Sequence, residues 1–194
     1  MATKILSIDV GLKNLSFCHF VCGGDIRSEE AIKIIKWDNI CVTEQNCKKI
    51  QIETLTEDIL TSLTETFGGE EFETDIVLIE NQPSLKNGMM KTVSVIIYTF
   101  FNMMKMQQGN VSQVRFISAS NKLKCKLSRE LEVAKQAKGS YKDRKKMSVE
   151  LAKLYIAKHF PERKEWFGKQ PKADDLADAF LLGIYHAENS RVLI

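Results

Sequence analysis

The sequence predicts an α/β protein with a mixed five-stranded sheet, part antiparallel meander and part parallel, and helices on both faces. Two observations carry this expectation. Three strand-like segments separated by short turns open the chain, and strand patterns then alternate with helical ones. No Pro-rich, Gly/Ser-rich or low-complexity stretch interrupts the 194 residues, so a single domain over 1–194 is expected.

The elements follow in order. Lys4 to Val10 is rich in β-branched residues and stops at Gly11, a strand with a turn after it. Asn14 to Val21 alternates and ends at Gly23-Gly24, which reads as a hairpin turn because no phosphate-binding glycine pattern surrounds it. Ala31 to Trp37 makes a third strand. From Lys48 to Phe67, Ile50, Leu55, Ile59, Leu60 and Leu63 recur at helical spacing, and Gly68-Gly69 closes the segment. Asp75 to Glu80 is a short apolar strand, and 81–88 a loop. Met89 to Met106 reads as a largely apolar helix whose methionines suit a core or a dimer face. Gln113 to Ser118 is the fifth strand. Helices are expected over Asp143–His159 and Ala173–Glu188. The meander followed by strand–helix crossovers gives the mixed sheet.

Composition narrows the function classes. A hydrophobic share of 44% with 27% charged residues supports a packed core and excludes a disordered chain. The five cysteines lack any C-x-x-C pair and the three histidines do not cluster, so structural zinc is not expected. They read as small apolar fillers of a reducing compartment. No targeting or membrane-spanning pattern is legible, so the expected setting is soluble and intracellular.

The net charge of +3 is unevenly spread. Between Lys122 and Lys172, sixteen Lys or Arg face six Asp or Glu, a local excess of ten that leaves the rest of the chain at −7. A segregated basic stretch is the electrostatic footprint of a polyanionic partner, although a solvated charged face produces the same pattern. Lys122, Lys124, Lys126, Arg129, Lys142 and Arg144 are the candidate phosphate contacts. Trp166 and Phe167 lie among basic residues, where either base stacking or packing would suit them.

Four acids lie on elements that would hold them rigidly. Asp9 falls inside an apolar strand, where an ionised carboxylate is depleted and costly to bury. Glu80 ends the apolar run Ile76-Val-Leu-Ile79. Asp175 and Asp178 are three apart and share one helix face, where like charges repel unless a cation lies between them. Hard oxygen ligands of this kind suit Mg²⁺, with Mn²⁺ able to substitute. Such ions can activate water and stabilise the leaving oxygen in phosphodiester hydrolysis.

Four blocks in sequence carry a resemblance: Ser7-Ile-Asp-Val-Gly-Leu-Lys-Asn-Leu-Ser-Phe17, Leu78-Ile-Glu-Asn-Gln-Pro83, Tyr141-Lys-Asp-Arg-Lys-Lys-Met-Ser-Val-Glu150 and Lys172-Ala-Asp-Asp-Leu-Ala-Asp-Ala-Phe180. Together they resemble the Holliday-junction resolvases of poxviruses and other large DNA viruses. Fungal mitochondrial resolvases and, more distantly, the bacterial RuvC type are similar too. The resemblance implies a ribonuclease H-like fold and a homodimer that makes paired, Mg²⁺-dependent cuts in four-way DNA junctions. It also implies that Asp9, Glu80, Asp175 and Asp178 are the metal-binding catalytic acids, with Asp174 a less favoured ligand. A catalytic basic residue would fall at Lys145 or Lys146, and the spacing leaves both open. Two departures stand out: Leu85 is the only apolar candidate for a junction-opening wedge, and the 121–140 insertion is long and basic.

Three other readings remain. Another nuclease of the same fold could cut RNA–DNA hybrids or nick duplex DNA with the same acids. The motif Asp9-Val-Gly11 is shared with actin-like ATPases, but those need two lobes, each with its own phosphate motif, and one such motif is present here. A junction-binding protein without activity would have little reason to keep all four carboxylates.

Overall fold

Alternation along the strands decides which helices cover which face of the sheet. The computed structural model describes residues 2–23, 31–45, 49–83, 87–125 and 140–189. Its strands are β1 (Thr3–Asp9), β2 (Leu15–Cys22), β3 (Ile32–Ile40), β4 (Thr74–Asn81) and β5 (Val111–Ser118), arranged β3-β2-β1-β4-β5. β1, β2 and β3 pair antiparallel, whereas β4 runs parallel to β1 and β5 parallel to β4. The expected mixed sheet is present.

Helices α1 (Ile52–Phe67) and α2 (Gly88–Gln107) cover one face. There Leu6, Ile8, Phe17, Val77 and Ile79 meet Leu55, Ile59, Val93, Ile97 and Phe101 in one buried cluster. The other face receives α3 (Tyr141–His159), the short α4 (Lys164–Gly168) and α5 (Ala173–Asn189). Ile5, Cys18, Phe20, Ile76 and Leu78 pack there against Leu151, Tyr155, Ile156, Phe180 and Ile184. Residues of period two thus alternate between two cores on either side of each central strand.

Helix α5 lies close against the sheet because Gly183 has no side chain. A Cβ at Gly183 would stand 2.6 Å from Phe20 Cε1 and 2.7 Å from Ser7 Oγ. The Ser7 hydroxyl donates to the Ala179 carbonyl at 2.7 Å, fixing the helix along β1. Trp37 completes this layer. Its indole N–H donates to the Leu176 carbonyl at 3.1 Å, and its rings lie 5.0 Å from Phe180, 5.2 Å from Phe167 and 5.5 Å from Trp166. Trp166 and Phe167 therefore pack against Trp37, and Phe167 is fully buried.

Differences from expectation are local. Helix α3 starts at Tyr141, two residues early, because Ser140 and Asp143 form a reciprocal capping box. Helix α1 starts at Ile52 and not near Lys48. Tight turns at Ala119–Asn121 and Pro161–Arg163, and helix α4, carry no hydrophobic period long enough to announce them. No disulfide joins the described cysteines, and Cys18, Cys22 and Cys125 are buried while Cys41 is exposed. Among the described residues no helix is long and apolar enough to cross a membrane.

Candidate active site

Parallel pairing sets the first two acids side by side. Ser7 pairs with Leu78 and Ile8 with Ile79, so the next step along each strand brings Asp9 beside Glu80. Both lie at the carboxyl ends of parallel strands, the edge where open α/β sheets commonly hold their ligands. Gly11 lets the chain turn immediately afterwards, since a Cβ there would lie 2.3 Å from the Asn14 carbonyl oxygen. On the facing helix, Asp178 lies one position before Ala179, the residue anchored to Ser7. The anchor and the close approach at Gly183 thereby bring Asp178 to the two strand acids.

Lys122 occupies the middle of this group. Its ammonium lies 3.0 Å from Asp9 Oδ1, 3.2 Å from Glu80 Oε1 and 2.8 Å from Asp178 Oδ2. The residue is only 9% exposed. Lys122, expected from the sequence as a phosphate contact, is turned into the acids in this structure. The turn at Ala119–Asn121 folds the chain back after β5 and carries the lysine into the acids. Sequence pattern gave no means to distinguish it from its basic neighbours.

Electrostatics register the crowding. Burial pushes the Asp9 carboxyl up to about 8, with Glu80 adding to the rise and Lys122 opposing it. Burial also raises Asp178, against the pull of Lys122 and with the push of Asp9. Burial alone would lower the Lys122 ammonium, but Asp9, Asp178 and Glu80 outweigh it and hold the proton firmly. Perturbed groups concentrated at one edge are a common mark of a functional site.

A second lysine divides the helical acids. Lys145, on the first turns of α3, bonds to Asp174 and lies 3.2 Å from Asp175 Oδ1. Burial would raise Asp174, yet its hydrogen bond from Lys145 wins and lowers it. Asp175 is raised by burial and by Asp174, with Lys145 opposing. Asp9, Glu80, Asp175 and Asp178 nevertheless line one open pocket of about 940 Å³, together with Lys122 and Lys145.

The remaining basic candidates separate. Lys124 and Arg144 line the same pocket, and Lys142 and Lys146 are exposed on α3 outside its lining. Lys124 also donates to Ser120 Oγ and Asn121 Oδ1, each at 3.2 Å. Lys126, Arg129 and Leu85 lie outside the described residues. Of the two lysines left open by spacing, only Lys145 reaches the acids.

The acid cluster has the donor chemistry of a hard divalent cation. It offers carboxylate oxygens alone, and among the described residues Asp178 Oδ1 is buried without a hydrogen-bond partner. A positive charge already sits at its centre as the Lys122 ammonium. Among the described residues no three ligating side chains stand in a coordinating arrangement. The donor chemistry of the acids suits a divalent metal ion, which would have to take the place of the ammonium.

The sequence as a whole carries a family signature that covers this site. The chain belongs to the poxvirus A22 protein family. The family's sequence profile matches residues 3–189, which include all five strands and every acid of the pocket. A further relative, Uncharacterized protein L451 of Acanthamoeba polyphaga mimivirus, is 34% identical over 119 residues. That match takes in 58% of this chain and 28% of the relative, so the chain spans under a third of its length.

Solved structures share the architecture of this A22-family chain. The fowlpox virus resolvase in complex with Holliday junction DNA superposes with a TM-score of 0.59 at 24% identity, covering 95% of this chain and 97% of that one. Thermus thermophilus RuvC with a Holliday junction substrate gives 0.61 at 12% identity, covering 97% and 95%. The yeast mitochondrial Holliday junction resolvase Ydc2 gives 0.56 at 19% identity, covering 96% and 79%. At these identities the likeness establishes the fold, which is the ribonuclease H-like α/β fold expected from the sequence.

Proposed function

We propose that this chain is a Mg²⁺-dependent endonuclease that resolves four-way DNA junctions, with Mn²⁺ able to substitute. The observation that carries the reading is the convergence of Asp9, Glu80 and Asp178 at one sheet edge, in a chain of the poxvirus A22 family. The solved relatives of this fold named above are junction resolvases, two of them held with Holliday junction DNA.

Asp9, Glu80 and Asp178 would hold the metal, with Asp175 beside them, and a metal so held supplies a Lewis acid that activates water and steadies the leaving oxygen. The chain's own residues do the rest. Lys124 and Arg144, at the pocket, contact backbone phosphates and position the strand without reading its sequence. Lys145, anchored by Asp174 and Asp175, presents a fixed positive charge to the scissile phosphate. Positions flanking the pocket matter for shape selection, since a junction is recognised by geometry.

Paired cuts across one junction require two copies of the site. Val95, Met103 and Met106 are exposed on one side of α2, and Met106 is 80% exposed. This apolar stripe is the face through which the enzyme pairs as a homodimer. A single domain carries site and stripe, and the setting is intracellular, the host cytoplasm for a viral source.

The test is a side-by-side cleavage assay on a four-way junction, a linear duplex and an RNA–DNA hybrid, each with Mg²⁺. Wild-type protein cuts the junction in preference to the others, and Asp9→Asn cuts none of them. Preference for the hybrid or the linear duplex would overturn the substrate assignment. Cutting by Asp9→Asn would remove that carboxylate from the mechanism.

A further inference from the structure

Among the described residues that line the acid pocket, Lys13 is the one basic residue outside the 122–172 stretch. The rest of the chain outside that stretch carries a net charge of −7, so an exposed lysine beside the acids runs against the local trend. The turn that carries it is firmly built. Leu12 and Leu15, on either side of Lys13-Asn14, are buried in the core under α1 and α2. The Leu12 carbonyl accepts from the Val42 N–H at 2.9 Å and from the Thr43 N–H at 3.4 Å. With its flanks fixed inward, Lys13 is left exposed at the pocket rim.

The sheet order says which rim. The β1–β2 turn flanks Asp9 on the β2 side, whereas Lys124 follows β5, on the far side of β4. β2 and β5 are three strand spacings apart, roughly 14 Å at about 4.8 Å each. A DNA strand laid over the acids passes between the two. Resting on the nuclease reading above, we infer that Lys13 is a further DNA-contact residue, which takes a backbone phosphate of the junction on the rim opposite Lys124. Its present partner does not prevent this. Lys13 Nζ lies 3.4 Å from Glu44 Oε2, with the two side chains 42% and 90% exposed, and an exposed pair of this kind contributes little. Glu44 holds the ammonium at the rim until a phosphate replaces it. A contact of this kind positions the strand without reading its sequence.

The test is the salt dependence of junction affinity, measured on the full chain by fluorescence anisotropy in EDTA, so that no cleavage intervenes. Lys13→Gln lowers the slope of log K against log salt by about 0.9, the share of one phosphate contact, and weakens binding about five- to tenfold near roughly 0.1 M salt. Lys4→Gln removes the same charge at the other end of β1, where Lys4 pairs with Glu73, and leaves the slope unchanged. Glu44→Gln removes the competing carboxylate and binds as tightly as wild type or tighter. Thermal melts check that each variant is folded. A wild-type slope in Lys13→Gln, an equal loss in Lys4→Gln, or no junction binding by wild type overturns the inference. So does weakening by Glu44→Gln to match Lys13→Gln, the mark of a lysine that serves its ion pair alone. Wild-type protein that binds the junction but leaves it uncut in Mg²⁺ refutes the nuclease reading alone, and the salt slopes still judge Lys13.

Discussion

The two faces of the sheet are built from the same strands yet serve different ends. Toward α1 and α2, β1 offers Leu6 and Ile8, and the cluster there is apolar throughout. Toward α5, the same strand offers Ile5, then Ser7, then Asp9, so the face turns polar step by step as it nears the carboxyl edge. Strand β4 repeats the gradient with Ile76, Leu78 and Glu80, while Val77 and Ile79 keep the opposite face apolar. One face supplies rigidity, and the other spends part of its burial on charges that need a counter-ion. A site of this kind is costly in isolation, and a strongly packed second face is what sustains it.

The largest effect that tests this division is on chemistry. Asp9→Asn, Glu80→Gln or Asp178→Asn should each slow junction cleavage by at least roughly 10²–10³-fold while leaving the far-ultraviolet spectrum unchanged. Gel-shift affinity for the junction should stay close to wild type. Cleavage at the wild-type rate by any one of them would take that residue out of the site.

On the opposite face, Phe101→Ala should lower stability by about 3–5 kcal/mol, measured by urea denaturation, because it leaves a cavity among Phe67, Phe72 and Phe100. Cleavage by the folded fraction should be retained. A comparable loss of activity per folded molecule would show that the two faces are not separable.

Gly183→Ala probes the seam between helix and sheet. The added methyl would meet Phe20 and Ser7 at under 3 Å, so α5 must move away from β1 at a cost of about 1–3 kcal/mol. Both stability and cleavage should fall together, because Asp178 rides on the displaced helix. The smallest expected effect is that of Ser7→Ala, which removes the bond to the Ala179 carbonyl and should cost about 1 kcal/mol in denaturation. Cleavage should drop more than that loss of stability explains, if the anchor sets the position of Asp178.

Most of the scaffold was legible in the chain. Alternation marked the strands, the 3.6-residue period marked α1 and α2, and acids inside or at the ends of apolar runs marked Asp9 and Glu80. The three-residue spacing of Asp175 and Asp178 correctly gave a shared helix, yet the two carboxylates face different lysines. Gly183, in the middle of a helix, was a readable hint of close packing that the hydrophobic period conceals.

Sequence by itself determined what depends on local repetition: the order of elements, the two-sided strands and the acids at their ends. Tertiary structure alone decided which cation meets which acid. It turned Lys122 inward, joined Lys145 to Asp174 and Asp175, and left Lys146 exposed. The reason is physical. A strand or helix fixes the direction of each side chain by its period, whereas a long flexible lysine after a tight turn takes its direction from the charges that folding brings near it.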